Sequence, residues 1–206
     1  LEGVNDTEEL DKVLSKSTNL KEFLKGEKRI GKISKFIANH FLKNIEPLGF
    51  KAFVVAVDRE ACVTYKKYLD QFMSPNLSEV IISKTNDDNL DLKKFHFDDN
   101  KQKKILKDFI ENEEKPKILI VTSKLLTGFD APILYGMYLD KPMKDHTLLQ
   151  AIARVNRPLR RDNDEKIEKT NGFILDFVGI FSNVKKALAF DSEDVESVIH
   201  NIDILK

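Results

Sequence analysis

The chain has 206 residues, 41% hydrophobic and 33% charged, enough for one domain with a real core and some appendages. Its 34 Lys and Arg balance 34 Asp and Glu, so no overall charge draws it to a polyanion and any nucleic-acid contact must come from local geometry. Eight glycines and six prolines exclude a fibrous or low-complexity chain, and no apolar run approaches the ~18 residues of a membrane helix. Cys62 is the single cysteine and cannot close an internal disulfide, and Leu1-Glu2-Gly3 is neither a methionine start nor a secretory signal. These features predict a cytoplasmic piece of something longer, with no membrane partner.

Residues 1–50 carry helix-period apolar positions at Ile30, Ile33, Phe36, Ile37 and Phe41 and no strand-like run, which predicts a helical lead-in packed on a sheet domain. Within it, Gly26-Glu27-Lys28-Arg29-Ile30-Gly31-Lys32 matches the first seven positions of a phosphate-binding P-loop, but Ile33 stands where a Ser or Thr should meet magnesium. A true P-loop follows a buried strand, whereas Asn19 to Lys25 reads as amphipathic helix, so the stretch is expected to be a solvated basic turn.

From residue 51 to about 190 short apolar runs alternate with helical stretches, the pattern of an α/β fold with a parallel sheet flanked by helices. The runs are Phe53 to Val57, Val80 to Ile82, Ile118 to Val121, Ile133 to Leu139 and Phe173 to Leu175. None alternates apolar with polar, so both faces of the sheet should be covered. After the first run, Asp58 is placed as an N-cap with Glu60 in the first turn, and Cys62, Tyr65, Leu69 and Phe72 step by three and four. The polar stretch 84–104 reads as a mobile surface insertion, followed by a helix marked by Ile105, Leu106, Phe109 and Ile110. A helix at Val184 to Ala189 and another from the Ser192 cap, opening a further region at 191–206, complete the chain.

Several residues resemble chemistry without its context. Ile174-Leu175-Asp176 looks like a magnesium-holding strand end but has no P-loop to serve. His40, His96, His146 and His200 lie far apart without partners at ligand spacing, so no metal site is expected. Cys62 lies on an apolar helix face, where a buried hydrophobe is expected rather than a nucleophile.

Two segments are more specific. Ile118 to Leu134, ILIVTSKLLTGFDAPIL, is a buried strand running into a polar turn, and ligands of open α/β sheets lie beyond such carboxyl ends. Thr122 and Ser123 offer hydroxyls there, Gly128 permits close backbone approach, and Asp130 adds a carboxylate before Ala131-Pro132. In His146 to Pro158, HTLLQAIARVNRP, Gln150, Arg154 and Arg157 fall at i, i+4 and i+7, spanning roughly 60° of a helix at about 100° per residue. Leu148, Ile152 and Val155 take the far side, facing the sheet, and the guanidiniums suit bidentate phosphate contact.

Together, and in this order, the two segments resemble the closing motifs of superfamily 2 helicases and translocases, which belong to the second of two RecA-like domains. Lys51 to Cys62, KAFVVAVDREAC, resembles the motif that opens that domain. VTSKLLTGFDAPIL followed by LDKPMKDHTLLQAIARVNRP is very similar to the restriction (motor) subunit of type I restriction-modification enzymes, over roughly Arg29 to Leu188.

The resemblance implies a RecA-like second motor domain that couples ATP hydrolysis to translocation of double-stranded DNA, ahead of endonucleolytic cleavage. It places Thr122 against the phosphate backbone of the tracked strand, with Ser123 and Thr127 as further DNA contacts. Gly128, Asp130 and Gln150 would line the nucleotide cleft, and Arg157, with Arg154 second, would be the arginine finger reaching ATP on the other domain. Ala153 stands where the superfamily often has Gly, a change shared by type I subunits, and Asp58 where helicases often have Thr or Ser. ATP and Mg2+ would be held mainly by the first motor domain, which supplies the P-loop and acidic pair, so this chain alone should hydrolyse no ATP. The implied partners are double-stranded DNA, the first motor and nuclease domains of the same subunit, and the modification and specificity subunits. The rivals are the second motor domain of another superfamily 2 DNA helicase or remodeller, and a non-catalytic RecA-like interaction domain.

Overall fold

The five apolar runs become strands of one sheet: β1 (Lys51–Ala56), β2 (Ser78–Ile81), β3 (Ile118–Val121), β4 (Leu134–Asp140) and, last among the described residues, β7 (Phe173–Asp176). They pair side by side, all parallel, in the order β2-β3-β1-β4-β7. A separate antiparallel pair is formed by β5 (Leu159–Arg160) and β6 (Glu168–Lys169). The computed structural model describes residues 18–111, 114–143, 145–160 and 168–179; the helices expected near Val184 and Ser192 lie outside them.

Alternation along the strands sorts the core into two layers. On one face Ala52, Val54, Ile118, Ile120 and Tyr138 pack against α1 (Glu27–Asn44) and α2 (Arg59–Phe72) through Ile30, Ile37, Phe41, Cys62, Tyr65 and Leu69. On the other, Phe53, Val55, Leu119, Val121, Met137 and Leu139 meet Ile105 and Phe109 of α4 (Asp99–Ile110) and Leu148, Ala151 and Val155 of α5 (Asp145–Val155). Every residue of β1 is buried, as expected of a parallel strand covered on both faces. The Asp58 carboxylate caps α2 by accepting from the Ala61 N–H at 2.9 Å.

The P-loop lookalike is neither a phosphate cradle nor a solvated turn. Residues 18–25 are helical, and Gly26 is the N-cap from which α1 departs, with Ile30 fully buried. Arg29 reaches across the sheet's edge to the buried Asp140 at the end of β4, with Nη1 donating at 2.7 Å and Nη2 at 2.5 Å, while the Tyr65 hydroxyl donates to the same carboxylate at 2.6 Å. This bidentate pair fixes the lead-in helix to the sheet, and burial together with Asp140 pushes the Tyr65 pKa up.

Residues 84–104 differ from the surface insertion expected. They form a short helix α3 (Leu90–Lys93) and the start of α4, each with an acidic or amide N-cap, Asn89 accepting from Leu92 and Asp98 from Lys101. Leu92 and Phe97 are buried, and Asp88 accepts from Arg59 at 2.6 Å, Thr85 Oγ1 at 2.6 Å and pairs with His96 Nε2 at 2.7 Å. The Thr85 hydroxyl, with His96 and Arg59, holds the Asp88 carboxyl well below the usual range. Polar composition concealed a packed segment because its polar groups satisfy one another.

Candidate functional site

The chain leaves β3 at the carboxyl edge of the sheet and must return to the opposite edge to begin β4 parallel to it. It does so without a helix. Leu126 is buried in the second layer, and the Phe129 ring lies 6.3 Å from those of Phe53 and Phe109, so residues 124–133 run back across that face. Leu125 and Gly128 both adopt left-handed backbone, at φ 72 and 76, a conformation that costs a Cβ-bearing residue but not glycine.

This course divides the candidate residues between two clefts. Gly128, Asp130, Gln150, Arg154, Arg157 and Thr127 line the first, of about 340 Å³. Thr122 and Ser123 stay at the carboxyl edge and line the second, of about 490 Å³. Gly128 and Asp130, which the turn itself set after Thr122 and the resemblance set with Gln150, lie with Gln150 and the arginines. Thr127, implied as a DNA contact beside Thr122 and Ser123, is carried away from them into the first cleft.

In the first cleft the stripe predicted on α5 is in place, with Leu148 and Val155 buried beneath it and Gln150 exposed. The helix stops at Val155, however, so Arg157 stands beyond it. Pro158 accounts for this, since the residue before proline is driven out of the α region. Arg157 nevertheless reaches the cleft and forms an ion pair with Asp130, both partners about half exposed. Such a pair contributes ~0–1 kcal/mol and is cheaply exchanged for a ligand's charge. Arg154 is half-buried. Its Nε donates to the Leu126 carbonyl at 3.1 Å, orienting the guanidinium while its terminal nitrogens have no partner among the described residues. Burial lowers its pKa and Asp130 opposes that, and a guanidinium stays charged throughout. Two guanidiniums facing one carboxylate leave a cleft suited to anions.

The second cleft gathers the carboxyl ends of β3, β1 and β4. Asp58 lies between Lys21 at 3.6 Å and Lys25 at 3.5 Å, and Lys25 also pairs with Glu60. Lys141, just past β4, brings its Nζ to 3.4 Å from Ser123 Oγ; its sequence position in LDKP carried no periodic signal, and sequence reasoning missed it. Asp176 ends β7 and caps the turn after it, accepting from Val178 and Gly179 N–H at 2.9 and 3.0 Å. Cys62 is buried, which pushes its thiol up. Among the described residues no group of His, Cys, Asp and Glu is arranged to hold a metal, and no helix is long and apolar enough to cross a membrane.

A five-stranded parallel sheet in the order β2-β3-β1-β4-β7 with helices on both faces defines a RecA-like α/β domain. Residues 51–179 match the family described as type I restriction enzyme subunit R domain 3, and the chain belongs to that family. It is 39% identical over 89% of its length to the MjaVIIIP type I restriction enzyme endonuclease subunit of Methanocaldococcus jannaschii, and 32% identical over 86% to the HindI endonuclease subunit of Haemophilus influenzae. It covers 19% and 17% of those two proteins, so it spans less than a fifth of the relatives it matches. Among solved structures, a fragment of an HsdR subunit of a type I restriction enzyme from Vibrio vulnificus superposes with a TM-score of 0.61 at 19% identity, over 81% of this chain and 30% of that one. A Leu-to-Val variant of S. cerevisiae Dbp5 bound to RNA and ADP BeF3 gives 0.52 at 17% identity, over 82% of this chain and 42% of its own. At these identities the two structures speak to the fold.

Proposed function

We propose that this chain is the second motor domain of a type I restriction enzyme R subunit, with residues 51–190 as its motor core. In the intact cytoplasmic complex, with the modification and specificity subunits, it would close and open against the first motor domain. That cycle would drive double-stranded DNA past the subunit before its nuclease domain cuts. The observation that supports this reading is the first cleft, where Gln150, Arg154 and Arg157 converge on Thr127, Gly128 and Asp130.

In this reading Arg157 exchanges the Asp130 carboxylate for the ATP phosphates presented by the facing domain, and Arg154, already oriented through Leu126, adds a planar fork. Guanidiniums placed where charge develops on a transferred phosphoryl group stabilise the transition state without reorganisation. The donor set suits the phosphates but not Mg2+, because among the described residues Asp130 is the one carboxylate lining the cleft and it is engaged by Arg157. The ion's ligands are therefore assigned to the other motor domain. Thr122 and Ser123, in the second cleft, face the DNA track.

The test is ATP turnover by the intact subunit carrying Arg157→Ala or Arg154→Ala. Removing an arginine finger lowers turnover on the order of 10³ to 10⁵, whereas losing an exposed ion pair would not, and the thermal midpoint should stay put. Lysine at position 157 should not rescue, since one ammonium cannot reproduce the fork. Retention of more than about a tenth of wild-type turnover by Arg157→Ala would remove it from the role. If both variants remain active, the non-catalytic RecA-like reading stands instead.

A further inference from the structure

We propose that Lys141 and Ser123 together grip one backbone phosphate of the DNA strand in the second cleft. The inference rests on the motor-domain reading and adds to it a residue just past β4 that the restriction-enzyme resemblance did not supply.

The geometry is set by the sheet. β1 lies between β3 and β4, with Val55 level with both Val121 and Leu139, so the residues after β3 and β4 flank the end of β1. Lys141 leans across that end until its Nζ is 3.4 Å from Ser123 Oγ, and Thr122 lies in the same cleft. A cation and a hydroxyl from two different strand ends thus converge on one point facing solvent.

The cations of this cleft differ in what holds them. Lys21 and Lys25 are matched by Asp58 and Glu60, and Arg59 is turned away to Asp88. Lys141 makes no ion pair with a carboxylate among the described residues. Burial also works against its charge, drawing its pKa below the ordinary lysine value. A half-buried ammonium held beside a hydroxyl, without a counter-charge in contact, is suited to a phosphodiester oxygen, which accepts from both groups at once. The first cleft, with its two guanidiniums, is where the nucleotide would bind, so the phosphate assigned to Lys141 is that of the nucleic acid.

Each phosphate neutralised by a lysine releases condensed counterions and contributes about 0.9 to the slope of log affinity against log salt on duplex DNA. The experiment measures binding of a short duplex of arbitrary sequence to the intact subunit over a salt series. Lys141→Met should weaken binding roughly threefold to tenfold at low salt and flatten the slope by about 0.9. Lys141→Arg should restore the slope. Ser123→Ala should weaken binding with the slope unchanged, because a neutral hydroxyl displaces no counterion. A Lys141→Met slope equal to wild type overturns the proposal, as does a loss confined to ATP affinity, which would make the phosphate a nucleotide's. Should the wild-type subunit itself show no salt-dependent DNA binding, the motor-domain reading fails first.

Discussion

Lys51 and Lys169, at the amino-terminal end of the sheet, are buried and Lys141, at the carboxyl edge, is half-buried, and they are engaged differently. Lys51 begins β1 and is fully buried. Its Nζ donates to the carbonyls of Asp108 and Glu114, both at 2.8 Å, and lies 5.3 Å above the Phe109 ring. Lys169 does the same for Pro132 at 2.7 Å and Leu134 at 2.5 Å. Each ties a loop to the start of a strand and has its hydrogen-bonding directions used within the fold. Lys141 meets one hydroxyl at long range. Fuller burial together with more complete use of the ammonium's donors separates a lysine that holds the fold from one positioned for a ligand.

The same contrast appears in two glycines, and it carries the largest stability effect expected here. A Cβ at Gly172, just before β7, would collide with the backbone carbonyl oxygens of Val155 and Tyr135, whereas a Cβ at Gly128 would meet nothing within 4 Å. Gly172→Ala must push the end of α5 away from the sheet and should cost about 3 kcal/mol, the upper part of the range for overpacking. Gly128→Ala pays only for left-handed backbone, roughly 1 to 2 kcal/mol. Denaturant unfolding of both variants checks the ranking, and equal losses would break the contrast.

Legibility in the sequence divides along the same line. The five strands, the α2 cap at Asp58 and the α5 stripe were legible because each leaves a local signature: an unbroken apolar run, a capping residue before a periodic face, or a spacing of three and four. Interactions between distant segments leave none. Arg29 and Asp140 are 111 positions apart, and nothing in the P-loop lookalike indicates that its arginine is committed to a strand end. Lys141 is one among 34 basic residues. The resemblance implied separate DNA and nucleotide residues, but the place of Thr127 beside the arginines was hidden because it depends on the route from β3 to β4, which sequence shows only as a polar turn. In 84–104 signals were present, in the Asn89 and Asp98 caps and in Leu92 and Phe97, but the surrounding charge outweighed them.

Stability against pH sharpens the comparison at the amino end. Burial pushes Lys51 down to about 7 from an ordinary 10.5, and Lys169 down to about 8. As pH rises from about 7 to 10.5 the unfolded chain carries more protons on these lysines than the folded one, so their contribution to stability grows with pH and then levels off. Lys51→Met should remove part of that rise. The stability of wild type relative to Lys51→Met should therefore improve from pH 7 toward pH 10.5, measured by urea unfolding at fixed ionic strength. A difference that stays flat across the window would show that Lys51 keeps its proton in the fold, its two carbonyl acceptors outweighing burial.

The smallest effect expected concerns Asp58, where the two kinds of role meet in one side chain. Its carboxylate accepts from Ala61 N–H at 2.9 Å as the cap of α2, and it also holds Lys21 and Lys25 beside the second cleft. Asparagine caps helices about as well as aspartate, while alanine in place of a cap costs typically ~1 kcal/mol. Asp58→Asn should therefore leave the thermal midpoint nearly unchanged, and Asp58→Ala should lower it. Both substitutions remove the negative charge facing the cleft. Duplex binding by the intact subunit should then strengthen about twofold to threefold at low salt, with a steeper salt dependence as Lys21 and Lys25 become available to phosphate. If Asp58→Asn loses as much stability as Asp58→Ala, the charge rather than the cap is what α2 requires. If DNA affinity falls in both, the lysines of the lead-in helix need Asp58 to hold them in position, and the second cleft is organised by that carboxylate instead of being restrained by it.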